Sequence, residues 1–428
     1  MEHMRFDQLD ETVYQTRLEN GLTVCLVPKP EFNKTYATFT TNYGSIDSTF
    51  KPLNQTEWKT VPDGIAHFLE HKMFEKPGGG DVFQDFSAQG AQTNAFTSFT
   101  RTAYLFSSTS NVEANLKTLL DMVQTPGFTD QTVEKEKGII GQEIRMYNDN
   151  ADWRVFFGLI ENMYKKHPVK VDIAGTIESI SEITTELLMD CYRTFYHPSN
   201  MLVFVIGPFD PEAILTLIED NQKAKDYTDK QPVERQYPEE TGHVNKEKTV
   251  LKMAVNTPKC MMGFKEGTVH RKGQDMMKHE LSVSLLLELM FGKGTDTFQE
   301  LLDEGLIDDS FSFDYTEEQE FAFSAIGGNT KDPDQLTARV LDIVKTFKAK
   351  PLDQASLDRA RKKRIGSLLK SLNSPEFIAN QFTRYFFNEM NLFDSVPTLE
   401  QLTIEDLTGV LQSHFVEEAF TCCHVVQK

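Results

Sequence analysis

The chain has 428 residues, 39% hydrophobic and 25% charged, which is the composition of an ordinary globular protein. That length exceeds what one compact core usually serves, so two domains of about 200 residues are expected. With 64 acidic against 44 basic side chains the net charge is −20, which argues against a nucleic-acid partner and mildly favours a basic substrate or partner.

The opening segment, Met1 to Glu19, is mixed and charged. It has neither the apolar centre of a signal peptide nor the acid-poor character of a transit peptide. The longest aliphatic run, Met201 to Ile206, is too short to span a bilayer. The simplest expected location is the cytoplasm. Cys25, Cys191, Cys260, Cys422 and Cys423 are odd in number and show no CxxC spacing, so they read as reduced thiols.

Strand patterns open the chain at Leu22–Val27 and Tyr36–Tyr43. A helix follows over Ile65–Phe74, with Asp63 as its expected N-cap, and Pro77 and Gly78–Gly80 stop it. This helix carries His67-Phe68-Leu69-Glu70-His71. At 100° per residue His67, Glu70, His71 and Phe74 share one face, while Ile65, Phe68, Leu69 and Met73 form an apolar back. A polar strand comes next, Gln92–Ser98, suited to hold a peptide by backbone pairing or simply to lie half-buried in a sheet.

A second helix begins near Asp130, after Pro126-Gly127. Its inward stripe reads Val133, Glu136, Ile140, Glu143 and Tyr147, with Ile139 and Met146 flanking. Two carboxylates therefore interrupt an apolar seam. A buried carboxylate shifts its pKa or finds a cation, so both need a partner.

The stretch from Asn221 to Lys246 is charged, carries prolines and lacks period, so it reads as a linker. Strand patterns then recur at Val250–Val255 and Met261–Phe264, again followed by a long helical stretch. Glu288-Leu-Met-Phe291 can be laid on His71-Lys-Met-Phe74, which sets Ser284, Leu287 and Glu288 opposite His67, Glu70 and His71. The halves thus read as copies, the second without a metal site. The expected domains are residues 1–220, a zinc-binding αβ domain; 221–246, a linker; and 247–428, a homologous αβ domain. Neither Gly78-Gly79-Gly80 nor Gly292-Lys293-Gly294-Thr295 has the spacing of a phosphate loop, and both read as turns.

Zinc takes imidazole and carboxylate ligands, and catalytic sites leave one position for water. His67 and His71 supply two ligands one helical turn apart. Glu143 is the candidate third; Glu136, on the same stripe, either holds a ligand histidine in its tautomer or substitutes as a ligand. Glu70 is the candidate general base, taking a proton from activated water and returning one to the leaving amine. Zinc, one per chain, is the expected cofactor, although manganese or cobalt suits the same donor set.

These residues resemble the pitrilysin (insulinase) family, the inverzincins, whose motif reverses the HExxH order. Asn94-Ala95-Phe96-Thr97, Gly175-Thr-Ile-Glu-Ser-Ile180 and Tyr196-His-Pro-Ser-Asn-Met201 match further landmarks of that family, and the likeness is clear over residues 18–210. It is nearest to the short bacterial forms. The resemblance implies an α/β fold of the α+β sandwich type: two homologous domains, each a mainly antiparallel sheet packed with helices. It implies His67, His71 and Glu143 as zinc ligands, Glu70 as base, Glu136 as supporting acid, and Asn94 and Ala95 as substrate contacts. It also implies a clamshell of two such chains around a peptide.

The second half departs from the pattern. Active relatives place an arginine, and a tyrosine seven positions later, in the segment matching Phe298–Asp309, where they meet the substrate carbonyl. Here that segment holds neither residue. The expected activity is a zinc metalloendopeptidase cleaving peptides or small unfolded proteins, as a homodimer or with a related partner chain supplying the Arg/Tyr pair. The alternative is a non-catalytic binding or structural subunit of a peptidase-like complex.

Overall fold

The computed structural model describes residues 1–227 and 232–428, so 228–231 of the expected linker lie outside the described residues. The chain forms two compact units. The first comprises Met1–Ile144, Asp172–Tyr237 and Leu372–Phe387; the second comprises Arg145–Val171, Pro238–Ser371 and Asn388–Lys428. Neither unit is a single stretch of sequence.

The first unit is built on a sheet of β1 (Glu2–Phe6), β2 (Glu11–Arg17), β3 (Thr23–Pro28), β4 (Thr35–Thr41), β7 (Ala91–Thr97), β8 (Thr102–Ser108) and β9 (Met201–Gly207). A separate ribbon pairs β5 (Thr49–Phe50) with β6 (Lys59–Thr60). The sheet order is β1-β2-β3-β9-β4-β8-β7. The aliphatic run noted above is the central strand β9, buried at every residue, parallel to β3 and antiparallel to β4. A strand covered on both faces has no reason to alternate, hence the unbroken apolar sequence. Helix α1 (Ile65–Lys72) lies against β7 and β8. Helices α2 (Phe83–Ala88), α3 (Val112–Val123) and α4 (Asp130–Asp149) follow. The helix Pro375–Phe387 closes the unit from the far end of the sequence, packing on β4 and β9, with the Phe382 ring tilted against that of Phe204 at 4.9 Å between centroids.

The second unit has strands β10 (Lys248–Met253), β11 (Lys259–Phe264), β12 (Ser312–Glu317), β13 (Ala322–Asn329) and β14 (Phe420–Gln427) in the order β10-β14-β11-β13-β12. Helix α5 (Ala151–Met163) packs on β10, β11 and β14. Strand for strand this repeats the series β3-β9-β4-β8-β7 of the first unit. Each series has one parallel pair, then three antiparallel ones. The halves are therefore two copies of one αβ fold, with the hairpin β1-β2 added to the first.

Inside the second unit two histidines and two glutamates form a buried network. His279 Nδ1 lies 2.9 Å from Glu317 and His414 Nδ1 lies 2.9 Å from Glu266. Arg271 donates to Glu317 at 3.0 Å. His167 and His197, each before a proline, accept from the backbone N–H two residues on and cap short 3-10 turns. All five cysteines are free and buried. Among the described residues no helix is long and apolar enough to cross a membrane.

Some expected details shift. The N-cap of α1 is Gly64, at φ 88°, not Asp63. A Cβ at Gly64 would come within 2.4 Å of the Ala174 carbonyl oxygen, so the chain needs glycine there for the close approach as well as for φ. Helix α1 stops at Lys72, and Met73 and Phe74 continue as turn. The helix Pro211–Lys223 runs into the expected linker, beyond which the described residues to Glu247 form no helix. On α4 the expected flanking residues Ile139 and Met146 are 47% and 59% exposed, and Ile144 takes the inner position instead.

Candidate metal centre

Two helices of the first unit bring the predicted residues together. Helix α1 is buried on nearly every side, which fixes its rotation. Its entry is clamped by the segment that follows Asp172. Ser179 donates its hydroxyl to the Asp63 carbonyl at 2.8 Å, and Thr176 and Ser179 form a capping box at the start of their own helix. Gly175, at φ 74°, approaches the same carbonyl so closely that a Cβ would sit 2.5 Å from it. The Gly175–Ile180 landmark thus seats the N-terminus of the histidine helix.

The ligand atoms of His67, His71 and Glu143 lie within 4.8 Å of one another, and they form the one such His/Cys/Asp/Glu group among the described residues. Glu143 Oε2 is 3.8 Å from His67 Nε2 and 3.6 Å from His71 Nε2. A tetrahedral ion with bonds of about 2.0–2.1 Å holds its ligand atoms about 3.3 Å apart, so this N2O set fits zinc with little adjustment. Glu136 is not in the group. Its Oε1 lies 3.1 Å from His71 Nδ1, the nitrogen turned away from Glu143. Of the two possibilities for Glu136, its position is that of the residue fixing the imidazole rather than that of a ligand.

The electrostatics suit a cation. Burial and the neighbouring His71 push His67 down to about 4, so its ring is neutral and ready to coordinate. Burial also lowers His71, but its bond to Glu136 and the charges of Glu70, Glu136 and Glu143 outweigh this and raise it. Burial raises Glu70, opposed in part by the Thr97 hydroxyl, which donates to Oε2 at 2.7 Å. Nδ1 of His67 is buried without a hydrogen-bond partner among the described residues.

The strand expected beside the motif is β7, the edge of its sheet, paired on one side to β8. Asn94 is exposed and Ala95 half-buried, with the Ala95 N–H bonded to Asn94 Oδ1 at 2.9 Å. In the second unit Ser284 and Glu288 line a cavity of about 90 Å³ with Lys363, which pairs with Glu288 at 2.5 Å. Where the alignment sets Glu288 opposite His71, the second copy holds an ion pair.

Two neighbours of the site escaped the sequence reading. Thr97 stood within a recognised landmark without a role. Lys72 had a sign: with Ile65, Phe68 and Leu69 it falls on the apolar back of α1, and a lysine there calls for a buried partner.

The sequence pattern of "Insulinase (Peptidase family M16)" matches residues 59–177, and that of "Peptidase M16 inactive domain" matches residues 182–364. The chain is 57% identical over 426 residues to the uncharacterized zinc protease YmfH of Bacillus subtilis, covering 99% of both. This chain belongs to peptidase family M16. A solved M16-like peptidase from Alicyclobacillus acidocaldarius superposes with a TM-score of 0.94 at 39% identity, over 98% of this chain and 99% of that one. A protease structure from Helicobacter pylori shares the fold, with a TM-score of 0.82 at 19% identity over 97% and 99%. The insulinase pattern covers the whole of α1 and α4, so the histidines and both glutamates lie inside it.

Proposed function

We propose that this M16 member is a zinc metalloendopeptidase that hydrolyses peptides or small unfolded proteins, with His67, His71 and Glu143 as ligands, Glu70 as general base and Glu136 as the acid supporting His71. The observation that carries this reading is the approach of the three ligand atoms to within 4.8 Å, with Glu70 one residue from His71 on the same helix. Zinc bound there supplies a Lewis acid that acidifies water and polarises a carbonyl.

The chain's own residues do the rest. Glu70 is nearly buried, and the Thr97 hydroxyl steadies one of its oxygens. A carboxylate with a raised pKa takes a proton from water near neutral pH and returns it to the departing amine nitrogen. Glu136 accepts from His71 Nδ1–H and so keeps Nε2 free of a proton. The unpaired side of β7, at Asn94 and Ala95, offers backbone groups to an extended peptide, a mode of binding that tolerates many sequences.

The segment Phe298–Asp309 contains neither arginine nor tyrosine. This supports a heterodimer in which a related chain supplies an Arg/Tyr pair to the substrate carbonyl; a homodimer would lack those groups. The net charge of −20 supports basic segments as substrates. The test is a quenched fluorescent peptide assay with and without such a partner, on wild type and Glu70→Gln. The variant is expected to keep its zinc and lose cleavage by about 10²–10⁴-fold; native-rate cleavage by Glu70→Gln would remove the base assignment.

A further inference from the structure

We infer that Lys72 is a positioning residue for the metal ligand His71, acting through Glu136. The inference rests on the zinc reading above.

The side chain of Lys72 is 0% exposed. A lysine is almost never fully buried unless its charge is matched. Its ammonium has three donors. It bonds to Glu75 and, at 3.0 Å, to the carbonyl of Thr132. It also stands 3.7 Å from Glu136 Oε2. The other oxygen of that carboxylate, Oε1, is 3.1 Å from His71 Nδ1. One carboxylate therefore bridges the ammonium and the imidazole. Helix α1 carries both Lys72 and His71, and α4 carries both Thr132 and Glu136.

This bridge has a direction. The ammonium draws Oε2 to one side, and the rigid carboxylate plane then aims Oε1 at the ring. The ring donates Nδ1–H to it and turns the lone pair of Nε2 towards Glu143, 3.6 Å away. Glu136 is 14% exposed at its side chain, so without the cation it is free to swing towards water. Glu136 is the carboxylate shared by the two, since Oε1 faces His71 and Oε2 faces the Lys72 ammonium.

A merely structural tie between α1 and α4 makes a different prediction, and a double-mutant cycle separates the two. Zinc affinity is measured by competition with a chromogenic chelator on wild type, Lys72→Met, Glu136→Gln and the double variant. Lys72→Met is expected to bind zinc about 10–100-fold more weakly, with an unchanged far-ultraviolet spectrum. In the Glu136→Gln background the same change is expected to cost less than about threefold, because the route through Glu136 is already gone. With cobalt in place of zinc, the exchangeable, paramagnetically shifted N–H proton of His71, assigned by its shift in Glu136→Gln, is expected to be sharp in wild type and lost to solvent exchange in Lys72→Met. Should the methionine variant not fold, Lys72→Gln carries the same comparison. An affinity for Lys72→Met within twofold of wild type, or full additivity of the two losses, overturns the inference. Equal and weak binding by wild type and His71→Ala would instead remove the zinc reading beneath it.

Discussion

The hydroxyl of Thr97 donates to Oε2 of Glu70 across 2.7 Å, tying the edge strand β7 to the histidine helix α1. Burial raises the Glu70 carboxyl, and this bond pulls it partly back. Thr97→Val removes the donor and keeps the shape. The carboxyl then rises further, so the acid limb of the kcat/KM profile moves to higher pH. A hydrogen bond to a charged group contributes about 1.5–3 kcal/mol, so kcat/KM at neutral pH is expected to fall about tenfold or more with zinc content unchanged. An acid limb that stays in place, or moves to lower pH, contradicts the role given to Thr97.

Zinc affinity depends on pH through His71. In the metal-free protein its pKa is raised above the ordinary 6.5, so a proton competes for the ring. His67, pushed down to about 4, does not compete near neutrality. Affinity is therefore expected to be flat well above the raised His71 value and to weaken up to about tenfold per pH unit below it. Titration calorimetry in buffers of different ionisation enthalpy counts the proton released. No proton release at pH 6.5 would count against His71 as a ligand.

Gly64→Ala tests how α1 is seated. The substitution puts a Cβ at φ 88° and within 2.4 Å of the Ala174 carbonyl. Strain of this kind costs on the order of 1–3 kcal/mol before the backbone shift is counted. The expected result is a lower Tm, by several degrees, together with weaker zinc binding. An unchanged Tm would show that the approach of the two segments is not tight.

Much of this was legible in the sequence, and the residues show why. Period and residue type were enough for β3 and β4, for the motif on α1 and for Glu136 and Glu143 on α4, because a helix face follows from spacing alone. The cap of α1 was not. Asp63 has the usual chemistry for that position, and Gly64 displaces it because a distant segment, Ala174-Gly175, comes too close for any side chain. Ile139 and Met146 misled for a related reason: they are apolar but face solvent in this chain. The use of Pro375–Phe387 to complete the first unit has no local sign, since a helix does not encode which sheet it covers.

The buried network of the second unit predicts acid sensitivity. Burial raises Glu266, but the hydrogen bond from His414 and the charges of His414, His279 and Arg271 hold it down at about 2. An acid depressed in the folded state stabilises it above the unfolded value of about 4.5, and that contribution fades as pH falls towards 2. Urea unfolding between pH 5 and pH 3 is expected to show a loss on the order of 1–3 kcal/mol from this group. Glu266→Gln is expected to be less stable than wild type at pH 7 and to lose less on acidification. A parallel decline of the two proteins would exclude Glu266 as the source.

The central claim is that His67, His71 and Glu143 together hold one zinc ion for Glu70 to work beside. The most direct measurement is zinc content after dialysis against a weak chelator, by plasma mass spectrometry, on wild type, Glu70→Gln and His71→Ala. The account predicts about one zinc per chain for the first two, as a single three-ligand site requires, and none for the third. Wild type without zinc, or His71→Ala with its full complement, would contradict it.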